Sequence, residues 1–306
     1  MTITQLKYVI TIAESSSITE AAQKLYMTQP SLSAAVRELE REYGIEIFNR
    51  TSRGISLTND GSEFLAYARQ IVDQSRLLEQ RYSKKKPPRQ LCSISTQHYA
   101  FAVGAFVDLI TELDADQYEF TLRETRTYEI IDDVSSFRSE LGILYLSDFN
   151  SKVITKLLRD RHLGFTPLFK ALPHVFISRN HPLAGRDKLS LDELADYPFL
   201  TYEQGSNNSF YFAEEVLSTH EYKKAVHVSD RATLFNLLIG LNGYTICSGV
   251  LNSNLNGDNI VSKKLEIDDS MTVGYISSQK SKLSQIALAY IEKLKTLIEK
   301  YGFEVL

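Results

Sequence analysis

Apolar positions in the first 58 residues recur at helical spacing in three short stretches. Leu6, Val9, Ile10 and Ala13 share one face, and Thr4 stands where a cap would precede them. Ser17-Ile18-Thr19-Glu20 has the form of a capping box, with Ala21, Ala22 and Leu25 following at helical spacing. This second helix is expected to stop near Tyr26-Met27. Thr28 is placed to cap a third helix, with Pro30 in its first turn, where the missing N–H costs nothing. Leu32, Val36 and Leu39 form that helix's apolar stripe, and Gly44 ends it. Two helices joined by so short a turn have helix-turn-helix spacing. Two β-prone runs within residues 45–57 then flank Ser52-Arg53-Gly54, which predicts a hairpin, the wing of a winged helix.

Residues 59–82 read as one long helix. Phe64, Ala68, Ile71, Ser75, Leu78 and Tyr82 recur at spacings of 4, 3, 4, 3 and 4, a heptad seam. The same stripe would serve for packing on a globular domain, but its place directly after the small module favours dimerisation. Lys84-Lys85-Lys86-Pro87-Pro88-Arg89 ends the helix and reads as an extended, solvated linker. From Leu91 onward strand-like and helical runs alternate. Strands are expected at Cys92-Ser93-Ile94-Ser95, at 118–123, at 141–146, at 174–177, at Tyr197-Pro198-Phe199-Leu200 and at Tyr244-Thr245-Ile246-Cys247. Helices are expected near 98–113, 128–138 and 282–301. The alternation argues α/β with a mainly parallel sheet, and more than 200 residues of it argue two lobes with a cleft between them.

Composition narrows the function classes. The chain has 306 residues, 43% hydrophobic and 24% charged, as an ordinary globular protein has. Its net charge of −4 disfavours a generic nucleic-acid binder, so any DNA contact must come from a local surface. Residues 1–88 hold 12 Lys+Arg against 10 Asp+Glu, whereas the remainder holds 22 against 28. No apolar window is long enough for a membrane span, and the N-terminal stretch has no secretory pattern. Two cysteines, Cys92 and Cys247, make no disulfide framework and fit a reducing cytoplasm. There is no phosphate-loop, dinucleotide-binding, zincin or nucleophile-elbow motif, and the six histidines are scattered, so neither an enzyme nor a metal site is expected.

The sharper signal lies in the third helix. Its open face should present Thr28, Gln29, Pro30, Ser31, Ser33, Ala34 and Arg37, polar and small residues suited to a helix tip entering a major groove. Gln pairs bidentately with adenine and Arg with guanine. Arg50, Thr51 and Arg53 on the hairpin are placed for phosphates or the adjacent minor groove.

At this point the chain closely resembles the LysR-type transcriptional regulators. The residues that carry the likeness are Ala21-Ala22, Leu25, the run Thr28-Gln29-Pro30-Ser31-Leu32-Ser33, Val36, Leu39-Glu40, Gly44, Phe48, Arg50, Arg53, Leu57-Thr58 and Gly61. A looser likeness extends to the end through Glu140-Leu141-Gly142-Ile143, His181-Pro182-Leu183-Ala184, Leu189, Leu191, Glu193-Leu194 and residues 240–246. The resemblance implies an all-α-type winged helix-turn-helix (1–58), a dimerising linker helix (59–83) using Phe64, Ala68, Ile71, Ser75 and Leu78, and a hinge (84–90). It further implies an effector domain (91–306) of two Rossmann-like α/β lobes similar to periplasmic binding proteins, lobe I near 91–162 and 268–306, lobe II near 163–267. The implied partners are double-stranded promoter DNA, a second copy in a dimer or homotetramer, RNA polymerase, and a small effector in the cleft, with no cofactor.

Ligands of such sheets bind beyond the C-terminal strand ends, near helix N-termini. Ser95-Thr96-Gln97, Thr125-Arg126-Thr127 and Thr201-Tyr202 stand at such ends, and by position in the family pattern they line the cleft. Ser95, Thr96, Gln97, Thr125, Thr127, Thr201 and Tyr202 would suit an anionic ligand; alternatively their hydroxyls only cap helices. The Thr96-Gln97 and Thr201-Tyr202 pairs are similar to the sulfate- and cysteine-responsive branch of the family. Two other readings stay open: a redox switch through Cys92 and Cys247, and a ligand-binding or enzymatic α/β protein whose N-terminal helices serve assembly alone.

Overall fold

The computed structural model describes the chain except residues 16, 52–53, 83–89, 114–116 and 252–256. The chain forms two compact units, Met1–Arg89 and Gln90–Leu306.

In the first unit, α1 (Ile3–Ala13), α2 (Ile18–Lys24) and α3 (Gln29–Tyr43) precede a hairpin of β1 (Phe48–Thr51) and β2 (Gly54–Leu57), and α4 (Asn59–Tyr82) follows. The cap of α1 is Thr2 rather than the expected Thr4. Thr2 and Gln5 complete a capping box, the Gln5 amide donating to Thr2 Oγ1 (3.1 Å) and the Thr2 amide to Gln5 Oε1 (2.8 Å). Ser17 caps α2 by accepting from the Glu20 amide, while the Glu20 carboxylate pairs with Lys24 at 2.8 Å. Thr28 caps α3, and Gly44 ends it with a φ of 67°, a left-handed turn that glycine adopts without steric cost. Val9, Ile12, Ala21, Leu32, Val36 and Leu39 close the core between these helices. The wing is tied to α3 through Glu40, whose Oε1 accepts from the amides of Ile47 (2.9 Å) and Phe48 (3.2 Å).

The linker helix differs from the expectation in its face. Ala68 is buried and Phe64 packs against Tyr43 with ring centroids 5.8 Å apart, so both serve the unit's own core. Among the described residues, the large apolar side chains that α4 leaves exposed are Tyr67, Ile71 and Leu78. The period was legible, but the first two turns of the stripe cover α1 and α3. The Lys-Pro linker lies outside the described residues.

The second unit is built on two mixed sheets. The five-stranded sheet has the order β4 (Tyr118–Glu124), β3 (Gln90–Thr96), β5 (Leu141–Leu146), β13 (Met271–Ser278), β6 (Leu163–Ala171). The six-stranded sheet has the order β10 (Ala225–Val228), β9 (Phe199–Tyr202), β11 (Tyr244–Cys247), β7 (His174–Ser178), β12 (Ile260–Leu265), β8 (Lys188–Leu189). Helices cover both faces of the first sheet. On one side α5 (Ala100–Thr111) and α10 (Gln285–Lys300) bring Phe101, Ala105, Tyr290 and Leu294 onto Ile94 and Ile143. On the other, α6 (Thr127–Ser135) and α7 (Ser151–Asp160) bring Ile130, Val134 and Ile154 onto Leu144 and Ile276. Double coverage explains why β5 is a near-continuous apolar run. Beside the second sheet the one-turn α8 (Leu191–Leu194) buries Leu194, and α9 (Arg231–Leu241) packs Leu234 and Leu238 on Phe176 and Leu200.

The expectation of mainly parallel sheets is met, with a single reversed strand in each. Strands β3, β4 and β5 run parallel, but β13 enters antiparallel between β5 and β6, and β7 lies antiparallel between β11 and β12. Apolar alternation carries no information on strand direction. The lobe boundary near 162 is displaced: β6 stays in the first sheet, so the chain crosses over at Leu172-Pro173. Both β6 and β13 hold residues that mask a strand pattern. Gly274 faces Pro167 at a bulge, and a Cβ there would lie 2.4 Å from the Thr166 carbonyl oxygen.

Candidate functional site

Two surfaces carry the candidate residues, one on each unit. On the first unit, Thr28, Gln29, Pro30, Ser31, Ala34 and Arg37 are exposed at the start and open face of α3. The cap arranges them: Thr28 Oγ1 accepts from the Ser31 amide and lies 2.8 Å from Ser31 Oγ. Ser33 is a correction, since it is only 1% exposed. Its hydroxyl accepts from Gln29 Nε2 at 2.9 Å, so it steadies the Gln29 side chain from below. Arg37 Nε donates to the Ser33 carbonyl at 3.3 Å, leaving the guanidinium's outer edge free of that bond. Tyr26, which sequence reasoning passed over, is 98% exposed at a φ of 54° in the turn before Thr28. A bulky residue that the fold leaves wholly in solvent was detectable only as a break in the helical stripe. Of the hairpin candidates, Arg50 and Thr51 lie on β1 with side chains outside the described portion, and Arg53 lies outside the described residues.

On the second unit the strand ends do converge, but the chain itself uses the donors they offer. Ser95 is a correction: it turns into the first lobe, donating to Asp133 Oδ2 (2.6 Å) and lying 2.8 Å from Ser139 Oγ. The Thr96 hydroxyl donates to the Gln97 carbonyl at 2.8 Å. Buried Gln97 donates through Nε2 to Thr127 Oγ1 (2.6 Å) and accepts at Oε1 from Tyr99 (2.9 Å) and the Tyr145 amide (3.1 Å). Thr125 donates to Glu129, and the Thr127 amide reaches across to Gln204 Oε1 at 3.2 Å. Thr201 Oγ1 donates to Glu215 Oε2 at 2.7 Å, and the Tyr202 amide to Glu215 Oε1 at 3.1 Å.

Glu214, the neighbour of Glu215, accepts from the His98 amide at 2.9 Å and faces His98 Nδ1 at 2.9 Å, while the His98 ring stacks on Tyr202 at 3.9 Å. Arg126 pairs with Glu129 and Glu203, and Arg231 with Glu124 at 3.1 Å. These contacts join the two sheets. None of Glu214, Glu215, His98, Gln204 and Arg231 was foreseen. The one available signal was two adjacent glutamates inside an apolar run, Phe210-Tyr211-Phe212-Ala213-Glu214-Glu215-Val216-Leu217. In this structure two buried carboxylates of the chain itself meet donors expected to face an anion.

Burial, and then the charge of Glu214, push Glu215 up to about 8. At His98 burial acts downward, but the charge and hydrogen bond of Glu214, with Glu124 and Glu215 behind, leave the imidazole raised. Both groups therefore hold their protons more tightly folded than unfolded. Unfolding releases protons between the ordinary carboxylate range and the folded value of Glu215, and stability must fall as pH rises through that window. The expected melting temperature declines from about pH 5 to about pH 8, and Glu215→Gln flattens the decline. A pH scan of thermal unfolding in which the variant and the parent have the same slope would refute this.

The cysteines do not favour redox chemistry. Burial pushes the Cys92 thiol up to about 12 and raises Cys247 further, so neither is a ready thiolate. Among the described residues no cluster of three or more metal-ligating side chains occurs, and no helix is long and apolar enough to cross a membrane.

Comparison with known proteins finds a match for each unit. Residues 3–62 match the family model described as bacterial regulatory helix-turn-helix protein, lysR family, and residues 98–298 match the LysR substrate binding domain. The chain is 27% identical over 305 residues to the HTH-type transcriptional activator CmpR of Synechocystis, covering 96% of this chain and 94% of that one. It is 26% identical over 204 residues to the uncharacterized HTH-type transcriptional regulator YybE of Bacillus subtilis, 66% of each protein, so this alignment spans just under two thirds of the relative. A solved Corynebacterium glutamicum OxyR C206 mutant shares the fold, with a TM-score of 0.52 at 19% identity over 98% of this chain and 92% of that one. With the two family models together spanning most of its length, the chain belongs to the LysR family of bacterial helix-turn-helix regulators.

Proposed function

We propose that the chain is a sequence-specific DNA-binding transcriptional regulator, switched by a small molecule that acts between the two lobes of its second unit. The observation that carries this reading is the exposed tip of α3. Gln29 and Arg37 stand exposed on a helix whose cap, core and wing support are complete without them. Such a helix suits a major groove, with phosphate contacts around it setting register. Tyr26 extends this surface at the turn. The test is binding of promoter fragments from the chain's own locus against random duplex at moderate salt. The expected result is preferential binding that weakens steeply with salt as condensed counterions are released. Equal binding to both duplexes would remove sequence-specific regulation. Deleting residues 1–58 separates this reading from an enzymatic or ligand-binding one, which would keep its activity.

The regulator acts as a dimer or dimer of dimers in the cytoplasm, with RNA polymerase as a partner at the promoter and no catalytic step of its own. Support for the dimer comes from Tyr67, Ile71 and Leu78, exposed at spacings of 4 and 7 along α4. Burying such a stripe against a second copy stabilises both helices. Replacing Ile71 and Leu78 together by Glu is expected to yield a monomer in light scattering and to weaken promoter binding, which depends on two linked half-sites. An unchanged molar mass would place the dimer contact elsewhere.

A further inference from the structure

The interlobe donors are those a carboxylate needs, and a carboxylate already occupies them. The Thr201 hydroxyl and Tyr202 amide converge on Glu215, and the His98 amide and imidazole on Glu214. Both carboxylates belong to one short segment after the 3-10 turn at Phe210–Phe212, and both are more than nine-tenths buried. The same segment crosses to the first lobe a second time, the Tyr145 hydroxyl donating to the Ala213 carbonyl at 3.1 Å. So this segment of the chain bridges the lobes as a bound anion would.

We propose that the Glu214-Glu215 turn is a tethered ligand, holding the carboxylate donors between the lobes in place of a free effector, and that a free carboxylate enters only by displacing Glu215. This rests on the reading of the interlobe region as the effector site and specifies how that site is regulated.

Two further observations support it. Beside the pair is a cavity of only about 40 Å³, bordered by His98, Tyr202, Glu214, Glu215 and Thr245. That is room for about one water and no organic ligand. Yet the buried Thr245 hydroxyl on its wall has no hydrogen-bond partner among the described residues, a polar group left for something larger to meet. On the other side of Glu215 lies a second cavity of about 540 Å³, walled by Phe199, Phe210, Tyr222, Thr201 and Glu215 itself. Glu215 and Tyr202 border both spaces. Moving the Glu215 side chain joins them and frees the Thr201 hydroxyl and the Tyr202 amide. Burial beside Glu214 favours the neutral form of Glu215, which is held less firmly by amide and hydroxyl donors than a carboxylate is.

Chemical rescue tests the proposal on the full chain. Glu215→Ala deletes a fragment the size of acetate and leaves the donors in place. Thermal unfolding is followed with sodium acetate, with sodium chloride at equal ionic strength, and with ethylammonium chloride as a cation of similar size. The expected result is that acetate stabilises Glu215→Ala in a saturable way, by several degrees, while chloride and ethylammonium do not. The parent chain responds to acetate no more than to chloride, because its own carboxylate competes at very high effective concentration. Equal acetate responses in parent and variant would overturn the tether, as would a folded variant indifferent to acetate. Should Glu215→Ala not fold, the comparison is read on Glu215→Ser, which likewise vacates the place of the carboxylate but keeps a small polar group. Acetate should then stabilise the variant more than the parent, and equal shifts overturn the proposal. No DNA is present in this assay. A loss of promoter specificity would therefore sink the regulatory reading without touching the rescue, and the reverse holds equally.

Discussion

Replacing Gln29 and Arg37 together by alanine is expected to abolish preference for the operator while leaving a folded dimer that still binds random duplex weakly. Both side chains are exposed, so their loss removes no core contact; the bonds forfeited are Gln29 to Ser33 and Arg37 to the Ser33 carbonyl. Each well-formed side-chain pair with a base edge discriminates by about 1–3 kcal/mol. Two such pairs amount to a fall in specific affinity of roughly thirty-fold at the least. Non-specific binding is carried by phosphate contacts and should change far less. Competition binding at one fixed salt concentration, with circular dichroism to confirm the fold, measures both. A loss of the same size on random duplex would mean that these residues touch the backbone alone.

The second large effect is expected inside the first unit. A Cβ on Gly61 would lie 2.0 Å from the Ile47 carbonyl oxygen, a backbone atom that cannot swing aside. That carbonyl is held from both directions. Glu40 fixes the Ile47 amide, and the Thr58 amide donates to the Ile47 oxygen at 3.1 Å. Thr58 in turn caps α4 by accepting from the Gly61 amide at 2.8 Å. Gly61→Ala must therefore push the first turn of α4 off the base of the wing. Overpacking of this kind costs about 1–3 kcal/mol, and more where backbone must move. The expected outcome is an earlier thermal transition for the first unit, with loss of promoter binding and little change in the second unit. Gly185→Ala is the control: nothing lies within 4 Å of its added carbon, and its effect should stay within about 0.5 kcal/mol. Equal melting of the two variants would show that the close approach at Ile47 is easily relieved.

What the sequence made legible was local. Ser17, Thr28 and Gly44 mark helix ends by hydrogen bonds within four residues, and the caps appear where expected. The 141–146 strand was readable because both of its faces are covered, leaving no polar positions to blur it. The long helix was readable from its period. Which of its sides stays exposed was not, because a repeat of apolar residues does not say whether they cover the chain's own core or another copy. Ser33 shows the same limit on a smaller scale. Its type suits a groove, but its position one residue past Leu32 turns it inward. The interlobe site was legible only in outline. Thr96, Gln97, Thr127, Thr201 and Tyr202 do gather at strand ends, as sheet topology requires. Glu214 and Glu215 come from a segment of short turns with no periodicity, and their seat is set by partners more than ten positions away in sequence, such as Thr201 and His98. No local rule reports such a pairing.

The proposed regulation requires the tip of α3 to lie in a groove of the duplex. Ala34 is exposed on that tip, and a photoreactive residue in its place would probe contact directly. With the chain's own promoter the expected result is crosslinking to a few defined bases, repeated at half-sites about one helical turn apart. A probe at Ala34 that yields no DNA crosslink, while the protein is bound and a probe elsewhere on its surface does crosslink, would contradict the account.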